Sequence, residues 1–190
     1  MAVYPTTQTG MTLEQFLAWP RIDEKPYLEY IDGQVEEKVS PQTLHGMMEL
    51  GIADLLNSAA RPTRRGVAIP ELRCTFAGRS IIPDVVFLSH DQIQVNDRRK
   101  FVNEILVAPD IHVEIRSPGQ STAATRRKLE FSLRNGCRLG WYLDPDNEMI
   151  DVFRPGVEPE RLPADGFLDG APVLPEFRVA VADVFGCLYY

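Results

Sequence analysis

Pro109-Asp110-Ile111-His112-Val113-Glu114-Ile115-Arg116-Ser117-Pro118 reads as a β-strand that stops at Ser-Pro and carries a carboxylate in its middle. Ile111, Val113 and Ile115 alternate with His112, Glu114 and Arg116, so a period of two puts the aliphatic side chains on one face and the polar ones on the other. One face meets a core, and the other holds charge. Upstream, Ile81-Ile82-Pro83-Asp84-Val85-Val86-Phe87-Leu88 embeds a second acid in a still more apolar strand. Two carboxylates on neighbouring strands offer hard oxygen ligands suited to Mg2+ or Mn2+.

The 190 residues, 44% hydrophobic and 25% charged, are enough for one substantial core. A single domain over 12–190 is expected, preceded by a loose leader over 1–11. Twenty Lys and Arg against 27 Asp and Glu leave a formal charge of −7, which excludes a uniformly basic surface. Any nucleic-acid contact must then come from a local patch, and Arg64-Arg65 and Arg98-Arg99-Lys100 are the candidates. Cys74, Cys137 and Cys187 are odd in number and have no CxxC spacing, which argues against a disulfide framework or zinc knuckle and fits a reducing cytoplasm. No apolar run approaches the ~18 residues of a membrane-spanning helix, and the start lacks a signal-peptide pattern, so no membrane association is expected.

The remaining elements follow from local signals. Thr12 caps a short helix ended by Pro20. Asp32-Gly33 between Tyr27–Ile31 and Gln34–Val39 predicts a tight hairpin. Pro41 in a first turn opens a helix over about Gln42 to Ala60, with His45 near its start. Val67–Phe76 reads as a strand interrupted by Pro70, turning through Ala77-Gly78-Arg79-Ser80 into the Asp84 strand, and 89–108 as a charged surface loop with room for one short helix. A helix over Thr122–Arg134, stopped by Asn135-Gly136, separates the Glu114 strand from a buried strand holding Trp141 and Tyr142 as core residues. Strand, helix, strand predicts a crossover with parallel strands. The fold class is therefore α/β (α+β), with a mixed central sheet flanked by helices and hairpins at both ends of the chain.

Hydrolysis at such a carboxylate pair calls for a cation to orient water and offset phosphate charge. Arg116 stands two residues beyond Glu114, but a guanidinium does not exchange its proton under ordinary conditions. Lys128 on the following helix is the alternative, because its long stem can reach back over the sheet. Arg126 and Arg127 add positive field beside it.

Taken together, Glu29-Tyr30-Ile31-Asp32-Gly33, His45, Pro83-Asp84-Val85-Val86-Phe87, Val113-Glu114-Ile115-Arg116-Ser117-Pro118, Lys128-Leu129-Glu130, Gly136 and Trp141-Tyr142-Leu143-Asp144-Pro145 resemble the Uma-two family of endonucleases. That family belongs to the PD-(D/E)XK restriction-endonuclease-like superfamily, and the resemblance runs from about Met11 to Phe185. It implies a restriction endonuclease-like core and hydrolysis of DNA phosphodiester bonds by a Mg2+- or Mn2+-dependent endonuclease. Asp84 and Glu114 would be the metal carboxylates, with the backbone carbonyl of Ile115 completing the shell. The superfamily lysine falls on Arg116, and this family places it at Lys128 instead. Glu29 and His45 match further family positions and are accessory candidates, as is Arg116. Ala124 and Ser132 depart from the usual acidic and aromatic residues on either side of the helix lysine. Cutting both strands of a duplex asks for two sites, hence an expected homodimer. Two other functions compatible with the sequence are a nuclease-fold module with weak or no chemistry, acting with a partner, and a metal-dependent hydrolase of another phosphate ester.

Overall fold

A computed structural model describes residues 8–20, 22–38 and 42–190. Two sheets meet at Asp84. The larger has the order β11-β10-β9-β8-β7-β4 and the smaller the order β1-β3-β2-β6-β5.

The small sheet grows from the first hairpin, β2 (Leu28–Ile31) and β3 (Gln34–Glu37). Ile31 stands opposite Gln34, and Asp32 and Gly33 take φ of 51° and 82°. Two consecutive positive φ values give the turn a twist that matches its strands. β1 (Gln8–Thr9) lies along β3, with Gln8 opposite Val35, so the end of the expected loose leader is an edge strand. Residues 1–7 of that leader lie outside the described residues, as does Pro41. Between β1 and β2, α1 (Leu13–Leu17) starts in a capping box in which the Thr12 hydroxyl accepts from the Gln15 N–H at 3.2 Å and Gln15 returns the bond at 2.9 Å.

The expected strand over 67–76 is two strands in two sheets. β4 (Gly66–Pro70) pairs with β7 (Val85–Ser89) in the large sheet. β5 (Cys74–Phe76) and β6 (Arg79–Ile81) form a hairpin that joins the small one through Tyr30 opposite Ser80. The apolar run from Ile81 to Leu88 is likewise broken, because Pro83 has no N–H to continue a ladder. Ile82, Pro83 and Asp84 carry the chain from one sheet to the other. Residues 89–108 contain no helix; the bridges Val95–Phe101 and Cys74–Ile105 fasten that loop.

β8 (Ile111–Ile115) is antiparallel to β7 and, across α3 (Thr122–Arg134), parallel to β9 (Leu139–Asp144). β10 (Met149–Arg154) and β11 (Val157–Arg161) extend the sheet antiparallel. The sheet is thus mixed, as the crossover signal required. One face packs on α2 (Thr43–Ala60) through Met48, Ile52 and Leu56. The hairpin β12 (Phe167–Asp169) with β13 (Arg178–Ala180), together with α4 (Val181–Phe185), closes the same core. Trp141 is fully buried there, its ring stacked 5.4 Å from Phe177. The opposite face lies under α3, where Leu129 meets Tyr142 and Phe153.

Gly66 faces β7 at very close range: a Cβ there would lie 2.2 Å from the Leu88 carbonyl oxygen and 2.6 Å from the Phe87 ring. Gly66→Ala must push β4 away from the sheet, and a loss of about 1–3 kcal/mol is expected. Urea unfolding checks it, as a lower midpoint at unchanged slope.

Candidate active site

Asp84 sits where the two sheets part, and every atom around it is there for a topological reason. Val85 pairs with Val113, so residue 83 faces Ile115 in the ladder. Pro83 has no N–H to give the Ile115 carbonyl. The Ile115 N–H donates to Asp84 Oδ2, at 2.6 Å. The other Asp84 oxygen, Oδ1, lies 2.7 Å from Lys38 Nζ and 3.3 Å from His45 Nε2. Burial alone would raise the Asp84 pKa, but Lys38 and His45 hold this carboxyl well below the usual carboxylate range.

Glu114 is equally buried, on the β8 face covered by α3. Its Oε1 is 2.9 Å from Lys128 Nζ and 2.8 Å from His112 Nε2. His112 in turn meets Ser132 Oγ through Nδ1 at 2.7 Å. The Ser132 departure from the expected aromatic thus has a structural reason: a ring there would displace the hydroxyl that orients His112. Lys128 also pairs with Glu29 Oε1 at 2.9 Å, and the same oxygen accepts the Ile82 N–H at 2.6 Å. Burial disfavours charge on both Glu114 and Lys128, yet their attraction wins, lowering the acid and raising the amine. Lys128 is therefore held as an ammonium.

On the α2 wall, His45 Nδ1 is 2.9 Å from Ser117 Oγ, and Nε2 lies 3.3 Å from Glu49 Oε1 as well as from Asp84. Burial lowers the His45 pKa, but the two carboxylates overcome it and push it up to about 9. Lys38 also donates to the Ile82 carbonyl at 2.9 Å, and Asp84 outweighs its burial to keep its pKa raised.

Beside these groups opens one cleft of about 290 Å3. Asp84, Glu114, Lys128, Glu29 and His45 all line it. Arg116 does not: it turns outward to Asp144 at 3.3 Å and Asp146 at 2.9 Å. Because side chains alternate along a strand, position 116 begins on the Glu114 face, but β8 has ended at Ile115 and the guanidinium follows the β9–β10 turn acids. Neither Arg64-Arg65 nor Arg98-Arg99-Lys100 borders the cleft, whereas the exposed Arg127 does. Sequence reasoning missed Lys38, Glu49, His112, Ser117 and Ser132. Of these, Glu49 had a signal, since it stands one helical turn from His45. Lys38 had none, being one more charge after a Glu-Glu pair.

The donor set fits a divalent cation. Asp84 and Glu114 present hard oxygens, and the Ile115 carbonyl is denied its ladder donor by Pro83. A family model described as "Putative restriction endonuclease", Uma2, matches residues 13–182. The chain belongs to the Uma2 family. A solved structure, described as a "putative nuclease belonging to DUF820" from Anabaena variabilis, is similar to this Uma2 chain. The two share 31% identity at a TM-score of 0.90, over 95% of this chain and 100% of that one. No curated protein matches the chain.

Protonated His45 binds two buried carboxylates, so its contribution to stability is complete below its ordinary pKa of 6.5 and is lost as pH rises through about 9. Asp84 and Glu114 act in the opposite sense, their contribution vanishing on acidification. The metal-free Uma2 chain should lose stability between those pH values, and His45→Gln should flatten that limb. Urea midpoints measured across the interval check both.

Proposed function

We propose that this chain is a metal-dependent endonuclease that hydrolyses DNA phosphodiester bonds. One observation carries the reading: two buried carboxylates, one just before β7 and one on β8, and a partly exposed ammonium from α3 converge in a single cleft. Membership of a family described as a restriction endonuclease supports it, as does the likeness to a nuclease.

Asp84, Glu114 and the Ile115 carbonyl would hold Mg2+ or Mn2+, which supplies an acidified water and neutralises phosphate charge. Lys128 does not take the proton, because Glu114 and Glu29 keep it an ammonium. It donates hydrogen bonds, orienting the attacking water and drawing charge off a phosphate oxygen. His112 fixes Glu114, and Ser132 fixes His112, so the carboxylate cannot swing away. Glu29 holds Lys128 from the opposite side while its bond to the Ile82 N–H ties it to the Asp84 segment. Arg127 at the rim contacts the phosphate backbone, which positions the duplex without reading sequence. A homodimer would bring a second cleft to the other strand. Among the described residues no helix is long and apolar enough to cross a membrane.

Supercoiled plasmid incubated with Mn2+, Mg2+ or a chelator tests the reading. Asp84→Asn is the informative variant, since Asp84→Ala would strand the buried Lys38 and His45 charges at a cost of about 3–5 kcal/mol. Nicking should need the metal and fall by roughly a hundredfold or more in Asp84→Asn. Arg116→Ala, which removes ion pairs outside the cleft, should cleave within about twofold of the parent chain. Undiminished cleavage by Asp84→Asn overturns the assignment; absence of divalent-ion binding leaves a nuclease-fold module without this chemistry.

A further inference from the structure

Asp84 faces two walls. One is β8, where Glu114 and Ile115 stand; the other is α2, which brings His45 and Glu49 from successive turns. On the second wall, His45 Nε2, Glu49 Oε1 and Asp84 Oδ1 lie within 4.8 Å of one another. The imidazole nitrogen is 3.3 Å from each oxygen, yet neither contact has hydrogen-bond geometry. His45 Nε2 and Glu49 Oε1 are thus polar atoms without a hydrogen-bond partner on side chains that are only 4% and 8% exposed. What joins them is ion pairing alone. That is a reason to ask what would meet them.

The spacing answers in part. Ligands about 2.1 Å from one ion, at tetrahedral to octahedral angles, stand about 3.0–3.5 Å apart. The separations of 3.3 Å fall inside that interval. Ser117 supplies the outer support such a histidine needs. Its Oγ lies 2.9 Å from Nδ1 and can accept that N–H, so a cation that displaces the Nε2 proton meets a lone pair there. Glu114 differs, because its Oε1 already meets both Lys128 and His112. The α2 wall also carries no ammonium of its own; Lys38, 2.7 Å from Asp84 Oδ1, is the cation this oxygen already has.

We propose that His45, Glu49 and Asp84 form a second divalent-cation site, sharing Asp84 with the β8 wall and taking Mn2+ or Zn2+ in preference to Mg2+. This rests on the proposed metal role of Asp84. The preference follows from the donor set: an imidazole nitrogen suits transition metals, while Mg2+ favours oxygen and retained water. The α2 wall thereby sets which ions the cleft accepts.

Mn2+ titrations of the full chain, read by magnetic resonance for nitrogen hyperfine coupling, test the site without any turnover. Wild-type protein should bind Mn2+ with coupling to one imidazole nitrogen, and Mg2+ should displace that ion only at tenfold or greater excess. His45→Gln should abolish the coupling, Glu49→Gln should weaken the coupled ion at least tenfold, and Glu114→Gln should leave the coupling in place. Circular dichroism confirms that each variant is folded, and the wild-type spectrum needs no variant. Mn2+ bound without nitrogen coupling, at an affinity unchanged in Glu49→Gln, overturns this site and leaves the endonuclease reading standing. Coupling lost in Glu114→Gln also overturns it, since the two walls would then hold one ion. No Mn2+ binding by the wild-type chain, together with no metal-dependent nicking, defeats the endonuclease reading itself.

Discussion

Three buried carboxylates, Glu29, Asp84 and Glu114, line one cleft, a fourth, Glu49, pairs with His45 at its wall, and the fold depends on their being met by charge. Taking a single carboxylate out of water costs several kcal/mol unless a cation and hydrogen bonds replace the lost hydration. Here the replacements come from different parts of the chain. Lys38 follows the first hairpin, His45 comes from α2, and Lys128 comes from α3. Each ion pair therefore also fastens one element to another. Lys128 joins α3 to β8 and β2 through Glu114 and Glu29, and Lys38 joins the small sheet to the Asp84 junction.

Pro83 makes that junction possible. A residue with an N–H at this position could have continued the β7–β8 ladder and satisfied Ile115. Proline leaves the Ile115 carbonyl without that donor, while the Ile115 N–H donates to an Asp84 carboxylate oxygen. The same break lets β5 and β6 leave the large sheet and join the small one. A local rule about one residue's missing donor thus shapes both the architecture and the cleft.

The buried pairs also fix the side chains of the cleft against one another. Glu114 is held by His112, which is held by Ser132, while Lys128 is held between two acids. For the proposed hydrolysis, an arrangement fixed in advance would spend no reorganisation as charge develops on a phosphate. Ser132 is best understood in this light, as half of a matched pair with His112.

The sequence by itself determined the elements and the principal acids. Alternation exposed β8, the Asp-Gly turn exposed the first hairpin, and the strand–helix–strand pattern required the parallel β8–β9 pair. Asp84, Glu114 and Lys128 were legible because each stands in a motif with a defined offset, and Glu29 and His45 through the family pattern. Only the tertiary structure decided which partners they have. Lys38 reaches Asp84 across two sheets, His112 and Ser132 meet across a strand and a helix, and Arg116 leaves the cleft for the acids of a neighbouring turn. The physical reason is range: periodicity and turn chemistry act over a few residues, whereas the pairing of buried charges is settled by which distant segments the sheets bring within reach.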